Sequence, residues 1–501
     1  MKRTRKTKVG DTKKVGDRKL KQETKATTTE RLANYFEAYS QLRAQRENRE
    51  PVWMQQLREG AWERFSAKGF PTTHDEDWRF TNLAPLARTA FRRPERIDAA
   101  FLAKEIEAYR LAGAACQLVF VNGHFAPELS DGSNPPKGLE WCALKRAVDC
   151  GLEACAPGGI EQHLGRYADV RRDVFAALNT ALWEDGAYLR IRSGAAIEHP
   201  VHLLYITAGA RDAIMTHPRT LVVAEEHSQA AVVEDYASIG EEAGFSNAVT
   251  ELVAGEGAVV SHFLVGRENL AAFNVSTLRI EQARAANVAS HSILTGGGLV
   301  RNNVHPVLAG EGAECLINGL FIGAGRQHLD NYMLVEHAQP NGASRQFYNG
   351  ILAGHARGVF HGRIVVHKDA QKTDAKQTNR NLLLSDAARI DTKPQLEIHA
   401  DDVKCTHGAT IGQIEEEQLF YLRSRGFPEA EARNLLLYAF AAECLERMKE
   451  PAVRAFAEEL IQRRLGELVL QKDSASDSAV EDSAGEDSVA GEETQSWEEV
   501  G

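Results

Sequence analysis

Asn318-Gly-Leu-Phe-Ile-Gly323 returns as Asn349-Gly-Ile-Leu-Ala-Gly354 and, more loosely, as Asn381-Leu-Leu-Leu-Ser-Asp386, a spacing of about 31 residues each time. The segments that follow recur as well. Val335-Glu-His337-Ala-Gln339 is echoed by Val366-His367-Lys-Asp-Ala-Gln371 and by Ile398-His399-Ala-Asp-Asp402. Each unit holds short β-favouring runs, such as Arg363-Ile-Val-Val-His367 and Gln395-Leu-Glu-Ile-His399, between Gly, Asn and Asp turn signals. A single unit of this kind cannot cover its own apolar face, so successive units must stack and bury a shared core. The repeat predicts a β-solenoid. An antiparallel sandwich is the competing all-β solution, and it predicts no internal repeat.

Upstream of the repeat the chain delivers further strands, among them Ala187-Tyr-Leu-Arg-Ile191, His202-Leu-Leu-Tyr-Ile206, Thr220-Leu-Val-Val-Ala224 and Ala258-Val-Val-Ser-His262. The solenoid is therefore expected over about residues 161–411. Beyond it, 412–470 reads as a helical domain with amphipathic segments at 415–425, 428–449 and 451–468, the latter two with Pro at the first turn. Ahead of it, 28–160 reads as mixed α/β. Helix is expected over about 28–68, with Pro51 at a helix start and Trp53, Leu57, Ala61 and Phe65 forming one buried stripe. The loop Gly69-Phe-Pro-Thr-Thr-His-Asp-Glu-Asp-Trp-Arg-Phe follows, with Trp78 and Phe80 as anchors against a neighbouring domain. Next come a strand at Cys116-Gln-Leu-Val-Phe-Val121, a turn at Asn122-Gly123, and a helix over about 141–150.

With 501 residues, 43% of them hydrophobic, the chain has ample material for two or three domains. No stretch reaches the eighteen or so apolar residues of a membrane helix, and the N-terminus lacks the apolar segment of a secretory signal, so a cytoplasmic, membrane-free protein is expected. Seven scattered cysteines without a CxxC pair fit reduced thiols. The net charge of −11 divides unevenly: residues 1–22 hold ten Lys or Arg against two Asp, whereas the tail from Asp473 holds ten Asp or Glu and no base. Such compositions predict a disordered basic leader (1–27) and a disordered acidic tail (471–501). The leader has no aromatic residue for base stacking and the body shows no basic face, which argues against nucleic-acid binding.

The strongest candidate chemistry is Cys405-Thr406-His407. Residues two apart in a strand share a face, so a thiol and an imidazole would stand about 7 Å apart, a pair suited to a soft metal or to sulfur chemistry. The alternative is a cysteine used as a small core residue. Two ligands also fall short of the four that iron–sulfur or zinc centres take, so the pair is at most half a site whose remaining ligands come from a nearby loop or another chain. Nine of the seventeen His lie between His291 and His407. They are expected to line one edge of the solenoid rather than to form a metal centre, since no HExxH occurs. A P-loop and a GxSxG elbow are also absent.

The run from Phe347-Tyr-Asn-Gly-Ile-Leu-Ala-Gly-His-Ala-Arg-Gly-Val-Phe-His-Gly-Arg-Ile-Val-Val-His367, with Thr378-Asn-Arg-Asn-Leu-Leu-Leu-Ser385, Ala400-Asp-Asp-Val-Lys-Cys-Thr-His-Gly-Ala-Thr410 and Phe420-Tyr-Leu-Arg-Ser-Arg-Gly426, resembles the SufB/SufD family. Gly69-Phe-Pro-Thr-Thr-His-Asp-Glu-Asp-Trp-Arg-Phe-Thr-Asn82 resembles its SufD branch. The resemblance covers about 30–470. It implies a mainly β fold, a right-handed parallel β-helix core between an N-terminal α/β-helical and a C-terminal α-helical domain. The function it implies is that of a non-catalytic scaffold in Suf iron–sulfur cluster assembly. Its implied partners are SufB, through the β-helix, and the ATPase SufC, through the C-terminal helices, with a homodimer when the chain is alone. The implied cargo is a transient iron–sulfur cluster at the SufB–SufD interface, with His407 and, more weakly, Cys405 as this chain's contribution. A reduced flavin in the complex is also implied, and no cofactor held tightly by this chain alone.

The C-terminal helices carry Leu419, Phe420, Leu422, Leu435, Leu436, Tyr438 and Phe440, more apolar surface than one buried stripe needs. That surplus suits either a cap on the open solenoid end or a docking groove, and the resemblance favours SufC docking. Two rivals stand beside this reading. One is a β-helix enzyme acting on polysaccharide, with paired acids such as Asp401 and Asp402; the other is a purely structural homodimeric solenoid.

Overall fold

The computed structural model describes residues 32–47, 49–150, 159–209 and 212–485, with side chains as far as Leu468. The basic leader and residues 486–501 of the acidic tail lie outside the described residues. From Gly186 onward the chain alternates between two parallel sheets. Val201–Ala208, Gln229–Ile239, Val259–Arg267, Asn287–Leu294, Glu314–Gly323, Ala343–Leu352, Asp374–Leu383 and Lys404–Gly412 stack in one. Gly186–Ile191, Arg219–Ala224, Gly244–Ala254, Phe273–Gln282, Leu299–Leu308, His328–His337, Arg357–Val366 and Arg389–Ile398 stack in the other. This is the expected β-solenoid, with about 8 turns.

The repeat that announces the fold is shifted in phase from the true register. Asn349 lies over Leu320 rather than Asn318, and Asn381 lies over Gly350 rather than Asn349. A shift of two keeps a side chain on the same face of a strand, whereas a shift of one reverses it. Asn318 and Asn349 therefore both point outward, while Asn381 shares the inward row of Phe321, a core residue.

Inward rows stack like with like. Leu278, Val304 and Met333 form one column, and Val260, Val288 and Cys315 another. Each such buried side chain contributes about 2 kcal/mol. The interior is not uniformly apolar. Thr250 donates its hydroxyl to Glu234 (2.8 Å), whose carboxylate lies 3.1 Å from His262 Nε2, and Gln377 donates to Gln346 (2.8 Å).

The two ends of the solenoid differ. At the first end, Cys116–Val121 adds to the sheet in parallel beside Val201–Ala208, turns at Asn122 and Gly123 (φ 51° and 77°), and is covered by the antiparallel His124–Phe125. Leu139–Ala143 covers the other sheet antiparallel to Gly186–Ile191. At the far end the sheets stop at Arg389–Ile398 and Lys404–Gly412, and no further strand pairs with either among the described residues.

Several expectations need correction. Residues 161–185 hold no solenoid strand but turns and two helices, Ile160–His163 and Val174–Leu182; Asp173 caps the second by accepting from the amides of Phe175 and Ala176, and all nine residues of that helix are buried. The helix expected at 141–150 begins only at Leu144, because the stretch before it pairs as a strand. The last helix runs from Pro451 to Gly485, past the expected end near residue 470, and nothing between Gly466 and Gly485 is a Gly or Pro that would stop it. The C-terminal helices do not cap the open end. They lie along the outer face of one sheet, where Leu437, Ala441, Cys444 and Leu445 pack with Leu320, Ile322, Phe347 and Ile351.

Candidate functional site

Cys405 and His407 sit on the terminal strand, in register with Ala375 and Gln377. Their shared face is the inward one. Cys405 is half-buried against the core, and burial pushes its thiol up. His407, two residues further along a strand that no other described strand covers, is exposed. Ile398 and Ile411, at the ends of the two terminal strands, are 40% and 52% exposed, unusual for β-branched apolar residues on core-building strands. Among the described residues, the open end thus combines unpaired backbone edges, exposed apolar side chains and an imidazole. Among the described residues, no three His, Cys, Asp or Glu side chains are gathered so as to hold a metal ion.

Four of the remaining eight histidines of the stretch from His291 to His407 are tied to a neighbouring coil. His305 Nε2 lies 2.8 Å from Glu336, His367 Nε2 lies 3.3 Å from the same carboxylate, and His361 meets Gln395 (2.8 Å), while His337 meets Ser344 across a corner of its own turn (2.8 Å). Asn318 donates its amide to His291 Nδ1 (2.9 Å). Burial lowers His291 to about 3 and His337 to about 4, so both are neutral in ordinary buffers. Half of these histidines thus serve as bonds between coils.

Of the apolar residues on the C-terminal helices, Leu419 is buried, and Tyr438 and Phe440 pack toward the solenoid and the last helix. Phe420, Leu422, Leu435 and Leu436 face outward and, with Tyr421 and Ala439, line an open hollow. Phe420 is 72% exposed and Leu435 45%. This hollow lies between helices Glu416–Ser424 and Glu429–Leu445, the second of which grips the solenoid with its opposite face. Asn318 donates to the carbonyl of Cys444 (2.9 Å), Asn349 to that of Phe440 (2.8 Å), and Arg380 to the carboxylate of Glu443 (2.8 and 2.5 Å). Sequence reasoning did not single out these residues as a helix mount. The available signal was a polar residue at an outward strand position amid Leu, Phe and Ile, which marks a strand face covered by something with carbonyls to satisfy.

Residues 205–440 match the family described as SUF system FeS cluster assembly, SufBD core domain, and residues 29–203 match the SufBD protein N-terminal region. The chain belongs to the SufBD family. Among its relatives, an iron-sulfur cluster assembly SufBD family protein of Synechocystis is 35% identical over 399 residues, 78% of this chain and 86% of the relative. The iron-sulfur cluster assembly protein SufD of Escherichia coli is 32% identical over 77% of this chain and 87% of its own length. Protein ABCI7, chloroplastic, of Arabidopsis thaliana is 30% identical over 80% and 84%. Membership in the SufBD family places the chain in iron–sulfur cluster assembly, and the expected resemblance to SufD is borne out. No helix among the described residues is long and apolar enough to cross a membrane.

Proposed function

We propose that this SufBD chain is a non-catalytic scaffold that offers the open end of its solenoid to SufB and its C-terminal hollow to the ATPase SufC, and that a nascent iron–sulfur cluster forms as transient cargo at the SufB contact. The observation that carries this reading is the asymmetry of the solenoid: antiparallel strands cover one end, while the other ends on bare strands that bear His407. His407 contributes an imidazole ligand, and Cys405 is the weaker contributor because its thiol is half-buried and pushed up by burial. Ligands from SufB complete the set. Leu419, Tyr438 and Phe440 shape the helices from within, and Phe420, Leu422, Leu435 and Leu436 make the contact with SufC. A reduced flavin in the assembled complex, a cytoplasmic location and a homodimer in the absence of SufB belong to the same reading.

The polysaccharide alternative loses ground because Asp401 and Asp402 follow one another in an exposed connection between two strands, where both carboxylates are solvated. The test is co-purification with SufB and SufC, followed by iron and sulfide analysis. His407→Ala is expected to leave folding and partner capture intact while lowering cluster yield; an unchanged yield would refute its role.

A further inference from the structure

One coil beneath His407, the solenoid interior holds an amide with bonding capacity to spare. Gln377 is in register with His407 on the inward face and is 1% exposed. Its Nε2 donates to Gln346 Oε1 (2.8 Å), the inward residue of the coil before, whereas its own Oε1 is buried and meets no donor among the described residues. Both atoms branch from one carbon, so with the nitrogen spent on the inner coil the oxygen is turned away from it. Buried acceptors are nearly always satisfied, and one left open at the rim of a site calls for an explanation.

The opposite sheet is built around this side chain. Its inward column runs Leu278, Val304, Met333 and then Gly362, where a Cβ would overlap Gln377 Nε2. The bulky column thus breaks at the level where the amide crosses the interior. At the next level, the last among the described residues, Gly362 is followed by Pro394 and Gln377 by His407. A proline side chain cannot donate, so of this pair the imidazole is the one donor. Neighbouring strands stand about 4.8 Å apart, which lets side chains in register on one face reach each other. An imidazole that ligates a metal through one nitrogen ordinarily donates the N–H of the other to an oxygen, and that bond fixes its tautomer and orientation. In the uncovered chain neither ring nitrogen of His407 has a partner among the described residues, and water competes for both. A polypeptide that closes the end removes that competition and strengthens any hydrogen bond beneath it.

We propose that Gln377 is a positioning residue for His407, its Oε1 accepting the ring N–H so that the other nitrogen faces the cluster. This rests on the reading that His407 is a cluster ligand. It adds a buried residue that never touches the cargo to the exposed one that does.

The experiment assembles the full chain with SufB and SufC and measures cluster formed per complex for wild type, Gln377→Met, Gln377→Glu, His407→Ala, and Gln377→Met combined with His407→Ala. Methionine keeps the length and removes the acceptor. Glutamate keeps an acceptor, and Gln346, whose Nε2 is also unpartnered among the described residues, can turn its amide to donate to it. Gln377→Met is expected to lower the yield about tenfold with SufB and SufC capture unchanged. Gln377→Glu should stay within about threefold of wild type, and the combined variant should fall no further than His407→Ala alone. Gln377→Met at wild-type yield, a loss from Gln377→Glu as deep as that from Gln377→Met, or a combined variant below His407→Ala overturns the assignment. So does a Gln377→Met chain that no longer captures SufB, which would make the residue one of packing. An unchanged yield from His407→Ala overturns the ligand reading itself, and this inference with it.

Discussion

The guanidinium of Arg301 lies 4.3 Å from the centre of the Trp78 ring. The centre of the Tyr332 ring lies 4.6 Å away, Asp330 pairs with the same guanidinium, and the Thr81 hydroxyl donates to Asp330 in turn. The Gly69–Asn82 segment that resembles SufD is therefore a clasp, which fixes the N-terminal region on the outer face of the solenoid around one buried cation. Trp78→Ala removes an aromatic wall from a desolvated charge and is expected to cost about 3 kcal/mol, read as a lower thermal midpoint and faster proteolysis within 69–82. Trp78→Phe keeps a ring and should lose less.

Gly319, inside the motif that announces the repeat, has no space for a side chain. A Cβ there would stand 2.1 Å from a Tyr348 ring carbon. Gly319→Ala should destabilise by about 1–3 kcal/mol in chemical denaturation, and Tyr348→Phe should not rescue it because the clash is with the ring. Gly408→Ala, in open space, is the control and should stay within about 0.5 kcal/mol of wild type.

The buried imidazoles set an acid limit. His337, lowered to about 4 by burial, binds a proton more readily in the unfolded chain than in the folded one. Its stabilising share is therefore present above its unfolded value near 6.5 and is lost as pH falls toward about 4. His291, lowered to about 3, acts with the same sign. Each is worth on the order of 3 kcal/mol at neutral pH. Thermal midpoints should drop between pH 6.5 and pH 4, and His337→Gln should flatten that slope. A slope unchanged in the variant would assign the acid limit to other groups.

How far the fold could be read in advance follows from which forces leave a periodic mark. Stacking of coils does, so the solenoid, the turn at Asn122-Gly123 and the three C-terminal helices were legible. Register does not, because Asn318 and Asn349 recur for a reason of their own: both satisfy carbonyls of one helix, from positions two residues apart in phase. The stripe expected on the helix that runs from Val52 to Lys68 was too narrow. Ala61 and Phe65 join one core cluster together with Trp62, while Trp53 and Leu57 lean on another that contains the buried Met54. Arg58, fully buried against Glu50, is a tertiary pair with no sequence signature. At the candidate site, the spacing of Cys405 and His407 fixed their shared face, but their unequal exposure follows from the strand being last, which only the ends of the sheets reveal.

The outward hollow gives a prediction that separates docking from packing. Phe420→Asp and Leu435→Asp replace exposed apolar side chains, so each should shift stability by no more than about 0.5 kcal/mol while abolishing SufC capture in a pull-down. Retained capture with both substitutions together would move the docking site elsewhere.

The central claim is that a second polypeptide closes the bare end of the solenoid. A photo-crosslinking amino acid placed at Thr406 on the terminal strand, compared with one at Glu128 beside the covered end, tests it in the SufB-containing complex. The account predicts a crosslink to SufB from position 406 and none from position 128. A crosslink from 128 alone, or from neither in a complex that still co-purifies, would contradict it.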